Sequence, residues 1–284
     1  VLEKAAVKVS FGEPRKKFLN MAAFLRDFGT TAIDLIHVGA AGQSGLKQAA
    51  VQLEELSREV GALGFTVQTH LRQGSAPPAI VGAAEERDVD YLALYWMPKP
   101  LLRNALLGSI DSDILRLSCL PVFIYNPKQS KAAAEFESVL YATDFTYTDA
   151  VVLPYLINRK FKARKLYLLH VGDRAPDPVT EEQRRQRVLD NLQRLARECA
   201  HAYEDVEVMQ TIGLTRKQIV KQAGAKDVDL IVAGKSENPD VMSQVVGSTA
   251  EILPHKAGCS VFIIPGICRL PSAEEEGGQG WRPS

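Results

Sequence analysis

Asp88-Val89-Asp90-Tyr91-Leu92-Ala93 recurs 139 residues later as Asp227-Val228-Asp229-Leu230-Ile231-Val232. The same offset joins Leu107-Gly108-Ser109 to Val246-Gly247-Ser248, Val122-Phe123-Ile124 to Val261-Phe262-Ile263, and Gly74 to Gly213. Four blocks at one spacing mark an internal repeat. Upstream the offset shrinks: His37-Val38-Gly39 matches His170-Val171-Gly172 at 133, and Phe11 matches Phe145 at 134. The second copy therefore gains a few residues around its second helix.

Within copy two, short apolar runs alternate with helical periodicity. Strands are expected at 139–143, 166–171, 206–211, 228–233 and 260–264, and helices at 150–162, from 181, at 215–225 and at 248–256. The helix after 181 is announced by Pro176, Pro178 and the capping box Thr180-x-x-Gln183. Its Val188, Leu189, Leu192, Leu195, Ala196 and Cys199 form one face, with Arg184, Arg185, Arg187, Arg194 and Arg197 on the solvated side. Copy one gives the same alternation over 6–125. Continuously apolar runs belong to strands covered on both faces, hence to a parallel sheet with right-handed crossovers. The expected fold is α/β, two doubly wound parallel five-stranded sheets with flanking helices, in domains 1–127 and 136–268. Residues 126–137 read as a linker and 269–284 as a disordered tail containing Trp281.

Composition narrows the function. The 284 residues carry 34 basic and 34 acidic side chains. The balance holds in each half, 14 against 13 up to residue 130 and 20 against 21 after it. Neither half offers the basic footprint of a nucleic-acid binder. No run reaches the roughly 18–20 apolar residues of a membrane span, and the start lacks the order of a secretory signal. These features point to a cytoplasmic protein. The four cysteines, at 119, 199, 259 and 268, have no metal-ligand spacing and are expected as buried thiols. No metal site is expected. His37 and His170, repeat partners at strand ends, are expected to pack or cap. Walker, nucleophile-elbow and HExxH patterns are absent from the sequence, and no enzyme is indicated.

Taken together, Thr143-Asp144-Phe145 closing one strand, His170-Val171 closing the next, the strand ending at Gly234, Gly247-Ser248-Thr249-Ala250-Glu251-Ile252-Leu253, and the closing Cys-x-Val-Phe-Ile-Ile resemble the universal stress protein domain, here in tandem. The resemblance implies an adenine nucleotide alpha hydrolase-like fold. It also implies a pocket for ATP or AMP at the strand carboxyl ends, built on G-x2-G-x9-G-[ST]. Glycines would let backbone approach the ligand, and the last Gly-Ser would open a helix whose free N–H groups accept phosphate. Carried over onto copy two, the site comprises Asp144, Val171, Gly234, Gly247, Ser248 and Thr249. The second glycine is replaced by Glu237, with Asp240 close behind, which opposes a triphosphate; Lys235 could offset part of that charge. Ser248-x-x-Glu251 is also a capping box that needs no ligand, and Asp144 could be a turn carboxylate.

Copy one departs further: Ser10 stands for the acid, Tyr95 and Pro98 for the two glycines, and its last helix opens on Asp111 and Asp113. It is expected to bind no nucleotide. Family precedent implies pairing of the last strands, 122–125 with 261–264, as an intramolecular pseudo-dimer, and allows a homodimer. The expected function is a stress-response or regulatory protein with at most one degenerate adenine-nucleotide site. The alternative is an interaction module for an unknown protein partner, binding no nucleotide.

Overall fold

The computed structural model describes residues 2–39, 43–97, 110–128, 136–158, 161, 163–235 and 249–266. The repeated Asp-Val-Asp shows how sequence sets the frame. The first aspartate of each copy takes a left-handed backbone, φ 50° at Asp88 and 49° at Asp227, which reverses the chain after a helix. The second aspartate then staples the start of the copy's first strand. Asp90 Oδ2 accepts from the Lys4 N–H at 2.8 Å; Asp229 Oδ2 accepts from Glu137 N, Ser138 N and Ser138 Oγ at 2.9–3.0 Å.

Repeat 1 runs β1 (Lys4–Lys8), α1 (Arg15–Phe24), a 3₁₀ turn (Leu25–Phe28), β2 (Ala32–Gly39), α2 (Gln43–Ala62), β3 (Thr66–Gln73), α3 (Ala76–Glu85), β4 (Tyr91–Tyr95), α4 (Ile110–Leu117) and β5 (Val122–Tyr125). Repeat 2 runs β6 (Ser138–Thr143), α5 (Tyr147–Ile157), β7 (Lys165–Gly172), α6 (Pro178–Cys199), β8 (Asp205–Ile212), α7 (Thr215–Ala225), β9 (Leu230–Gly234), α8 (Thr249–Lys256) and β10 (Ser260–Ile264). Each repeat orders its strands 3-2-1-4-5, all parallel. The last strands pair antiparallel, Phe262 opposite Phe123, so the two five-stranded sheets become one of ten.

Both faces of that sheet are apolar, as the uninterrupted runs require, and the two resulting cores each contain residues of both repeats. Phe262 lies within 5.1–6.4 Å of Phe28, Tyr91, Phe123 and Phe161, ring centre to ring centre, so one aromatic cluster spans the junction. The buried Asn126 adds polar anchoring: its N–H donates to Ser260 Oγ and its side-chain amide to the Ala257 carbonyl.

Three expectations change. The cap of α6 is Asp177, whose carboxylate accepts from Val179 N and Thr180 N, because Pro178 fits the first helical turn and the aspartate before it reaches both free N–H groups. Helix α5 starts at Tyr147, three residues earlier than its apolar periodicity suggests. Cys199 and Cys259 are free and buried, but Cys119 is disulfide-bonded, a pairing that sequence spacing cannot reveal. Residues 269–284, Trp281 and Cys268 lie outside the described residues, as does most of the expected linker.

Candidate functional site

The strand ends of repeat 2 are built by a mismatch in length. β6 stops at Thr143, opposite His170, while β7 continues through Val171 to Gly172. The next ladder donor, the Phe145 N–H, turns back to Thr143 Oγ1 at 3.0 Å instead. The β6 ladder therefore ends one residue short of Val171. Phe145 adopts φ 59°, uncommon for a bulky residue, and its ring stacks on His170 at 4.5 Å. His170 Nδ1 donates to the Thr143 carbonyl at 3.0 Å. In repeat 1 His37 Nδ1 likewise donates to the Val9 carbonyl at 2.9 Å, with the Phe11 ring tilted against it at 4.3 Å. Both histidines are thus strand-end caps.

Asp144 is exposed, yet its carboxylate is engaged locally. Oδ1 accepts from Thr146 N at 3.0 Å and Thr148 Oγ1 at 2.9 Å, closing an Asx turn ahead of α5. Burial pushes its pKa up, but these hydrogen bonds outweigh it and hold the carboxyl below the usual range. Asp149, unnoticed in the sequence, lies beneath, accepting from Tyr141 Oη at 2.6 Å and Thr143 Oγ1 at 2.8 Å. Burial raises its pKa, the Tyr141 and Thr143 hydrogen bonds lower it, and the charge of Asp144 adds to the rise that prevails.

Gly234 ends β9 where a glycine is forced by packing. A Cβ there would lie 2.7 Å from Thr148 Cβ, so the early start of α5 already requires the missing side chain. Thr249 opens α8. Gly247, Ser248, Glu237 and Asp240 lie outside the described residues. Lys235 does not stay beside the site: its Nζ donates to the Arg116 carbonyl of α4, across the repeat junction, at 2.9 Å. Arg184, expected on the solvated face, instead pairs with Glu181 at 2.7 Å and lies over Gly172.

Repeat 1 places bulkier and charged side chains at the equivalent positions. Lys8, the last residue of β1, pairs with Asp111 in the first turn of α4, and the two are 7% and 5% exposed. Their counterparts in repeat 2 are Ala142 and the buried Ala250. Tyr95 and Trp96, both buried, supply further bulk at the end of β4. Sequence reading noticed Asp111 but missed Lys8; the signal was a lysine interrupting the apolar run of β1. A cavity of about 370 Å³ near Ser10, Glu13 and Glu59 and another of about 360 Å³ at the amino ends of β6–β8 include none of Asp144, Val171 and Gly234. Among the described residues, no cluster of three metal-ligating side chains occurs and no helix is long and apolar enough to cross a membrane.

The fold defines a tandem doubly wound α/β protein whose two sheets join through their last strands. The Universal stress protein family model matches twice, at residues 39–126 and 135–265. The chain belongs to that family. A universal stress protein from Archaeoglobus fulgidus is similar over 93% of this chain and 96% of its own, with a TM-score of 0.70 and 19% identity. A protein of unknown function from Pseudomonas aeruginosa is similar over 94% and 93%, with a TM-score of 0.69 and 16% identity. At these identities the likeness concerns the fold. No curated protein matches the sequence.

Proposed function

We propose that this protein is a cytoplasmic, non-catalytic regulator that takes up one adenine nucleotide, AMP or ATP, at the strand ends of repeat 2, with repeat 1 as its structural partner. The observation that carries this reading is the contrast between Ala142 with Ala250 and the ion pair Lys8 with Asp111 at the same positions. At these two positions repeat 2 carries alanines where repeat 1 carries a buried ion pair. The Val171 carbonyl would accept from a 6-amino group, and Asp144, ionised at neutral pH, would accept from a ribose hydroxyl as it now does from Thr148. Gly247, Ser248 and Thr249 would meet the phosphate. Titration with AMP and with ATP, in the wild type and Asp144→Ala, tests this. Saturable binding of one nucleotide per chain, weakened about tenfold or more in the variant, is expected; its absence at millimolar nucleotide overturns the reading.

A second reading has its own support: the Asx turn at Asp144 and the Thr148 contact at Gly234 explain both residues without a ligand. On that reading the protein is a protein-binding module. It predicts that native mass spectrometry of the purified chain shows no nucleotide and that Ser248→Ala costs only a lost cap, about 0.5–2 kcal/mol.

A further inference from the structure

We propose that Cys119 and Cys268 form a reversible disulfide clasp that locks repeat 1 to the chain leaving β10 of repeat 2, opened and closed by low-molecular-weight thiols and disulfides. The sequence holds four cysteines; Cys119 is disulfide-bonded while Cys199 and Cys259 are free, which leaves Cys268 to complete the bond. The strand register agrees. Val122 lies opposite Ile263, and the same register run on past the start of β5 sets position 119 opposite 266, two residues before Cys268 in the chain. That is close enough in sequence for a bond whose Cα atoms stand about 7 Å apart at most.

The bond stands where the junction lacks its polar anchor. At one end of the β5–β10 pair Asn126 donates its N–H to Ser260 Oγ and its amide to the Ala257 carbonyl. The repeat offset relates Asn126, Ser260 and Ala257 to Pro265, Pro121 and Ser118 at the other end. Pro265 has no N–H to donate and Pro121 no hydroxyl to accept, so the same anchor cannot form there. Cys119 occupies that end instead. It follows the buried Ser118, whose Oγ accepts from the Leu120 N–H at 3.0 Å and donates to the Leu120 carbonyl at 2.9 Å, fixing the turn. Cys119 is partly exposed, the setting of labile rather than inert disulfides. Cys199 and Cys259 are buried, and burial pushes each thiol up to about 12, so neither supplies a thiolate to reshuffle the bond. Opening takes two electrons: a thiolate attacks one sulfur, the S–S bond breaks and a mixed disulfide forms. A second thiol then displaces the protein sulfur, leaving two protonated cysteines and the reductant as its own disulfide. Closing runs the same exchange backwards, with a low-molecular-weight disulfide as oxidant.

The full chain is equilibrated in buffers of graded reduced-to-oxidised glutathione ratio, trapped with N-ethylmaleimide and mapped by mass spectrometry. Oxidising ratios are expected to give a Cys119–Cys268 cross-linked peptide, and millimolar reduced glutathione to give alkylation at both positions, reversibly, with Cys199 and Cys259 unlabelled while the chain is folded. Because the bond closes a loop of more than half the chain, reduction should lower the heat-unfolding midpoint by roughly 5 °C or more. Cys119→Ser and Cys268→Ser should each show the lowered midpoint at every ratio. An alkylated Cys119 in the oxidised chain, or Cys119 bonded to any other cysteine, overturns the proposal. So does a bond that millimolar reduced glutathione leaves closed in the folded chain, or a midpoint unmoved by reduction. Should a serine variant fail to fold, the wild-type ratio titration and midpoint decide by themselves.

Discussion

Glu13 shows how one side chain registers the Lys8–Asp111 pair of repeat 1. Its Oε2 accepts from the Ser10 N–H at 3.0 Å, while Oε1 is buried without a hydrogen-bond partner. Burial raises its pKa; the Ser10 N–H and Lys8 lower it, Asp111 adds to the rise, and the result is about 7. The folded state then binds more protons than the unfolded state between about 4.5 and 7, so stability falls as pH rises through that window. Glu13→Gln should remove this slope and stabilise the protein at pH 8 by on the order of 2 kcal/mol, read from urea unfolding at pH 5 and pH 8. A slope unchanged in the variant would assign the titration elsewhere. Gly234 offers a second test. Gly234→Ala forces a Cβ against Thr148 and should cost about 1–3 kcal/mol with no nucleotide present. A neutral outcome by calorimetry would show that α5 can give way.

At the scale of elements, the repeated Asp-Val-Asp divides its work between turn and staple, and the two copies differ in how much rests on the staple. Asp229 serves three donors, in buried surroundings, where Asp90 serves one exposed N–H. Asp229→Ala should therefore cost on the order of 3 kcal/mol and Asp90→Ala under about 1.5 kcal/mol in parallel denaturant titrations. Equal losses would refute this division. The strands were readable because period and apolarity are local properties, and 215–225 and 260–264 coincide with α7 and β10. Caps were less so. Thr180 and Asp177 both have capping chemistry, and only the direction of the incoming chain selects Asp177. Gly234 was legible as a required glycine, but its reason, a threonine 86 positions earlier in the chain, was not.

In the whole molecule, the antiparallel β5–β10 pair merges two sheets, and reciprocal contacts flank it. Trp96 follows β4 and meets His255 of α8; Lys235 follows β9 and reaches Arg116 of α4. The repeat offset of 139 relates Trp96 to Lys235 and Arg116 to His255, so these contacts are the two halves of one pseudo-twofold arrangement. Because Phe262 packs on rings from both repeats, Phe262→Ala should cost about 3–5 kcal/mol. Heat unfolding should remain one transition in the wild type and split in the variant; a single transition in both would mean that coupling runs elsewhere. By itself the sequence determined the tandem α/β fold, the unequal decay of the two motifs and the acid at the head of α4, because periodicity, repeat spacing and residue type are written along the chain. Only the tertiary structure decided that Asp144 is held in a turn, that Lys235 serves the other repeat, and that Lys8 meets Asp111 across 103 residues, since these depend on which strand and helix ends converge.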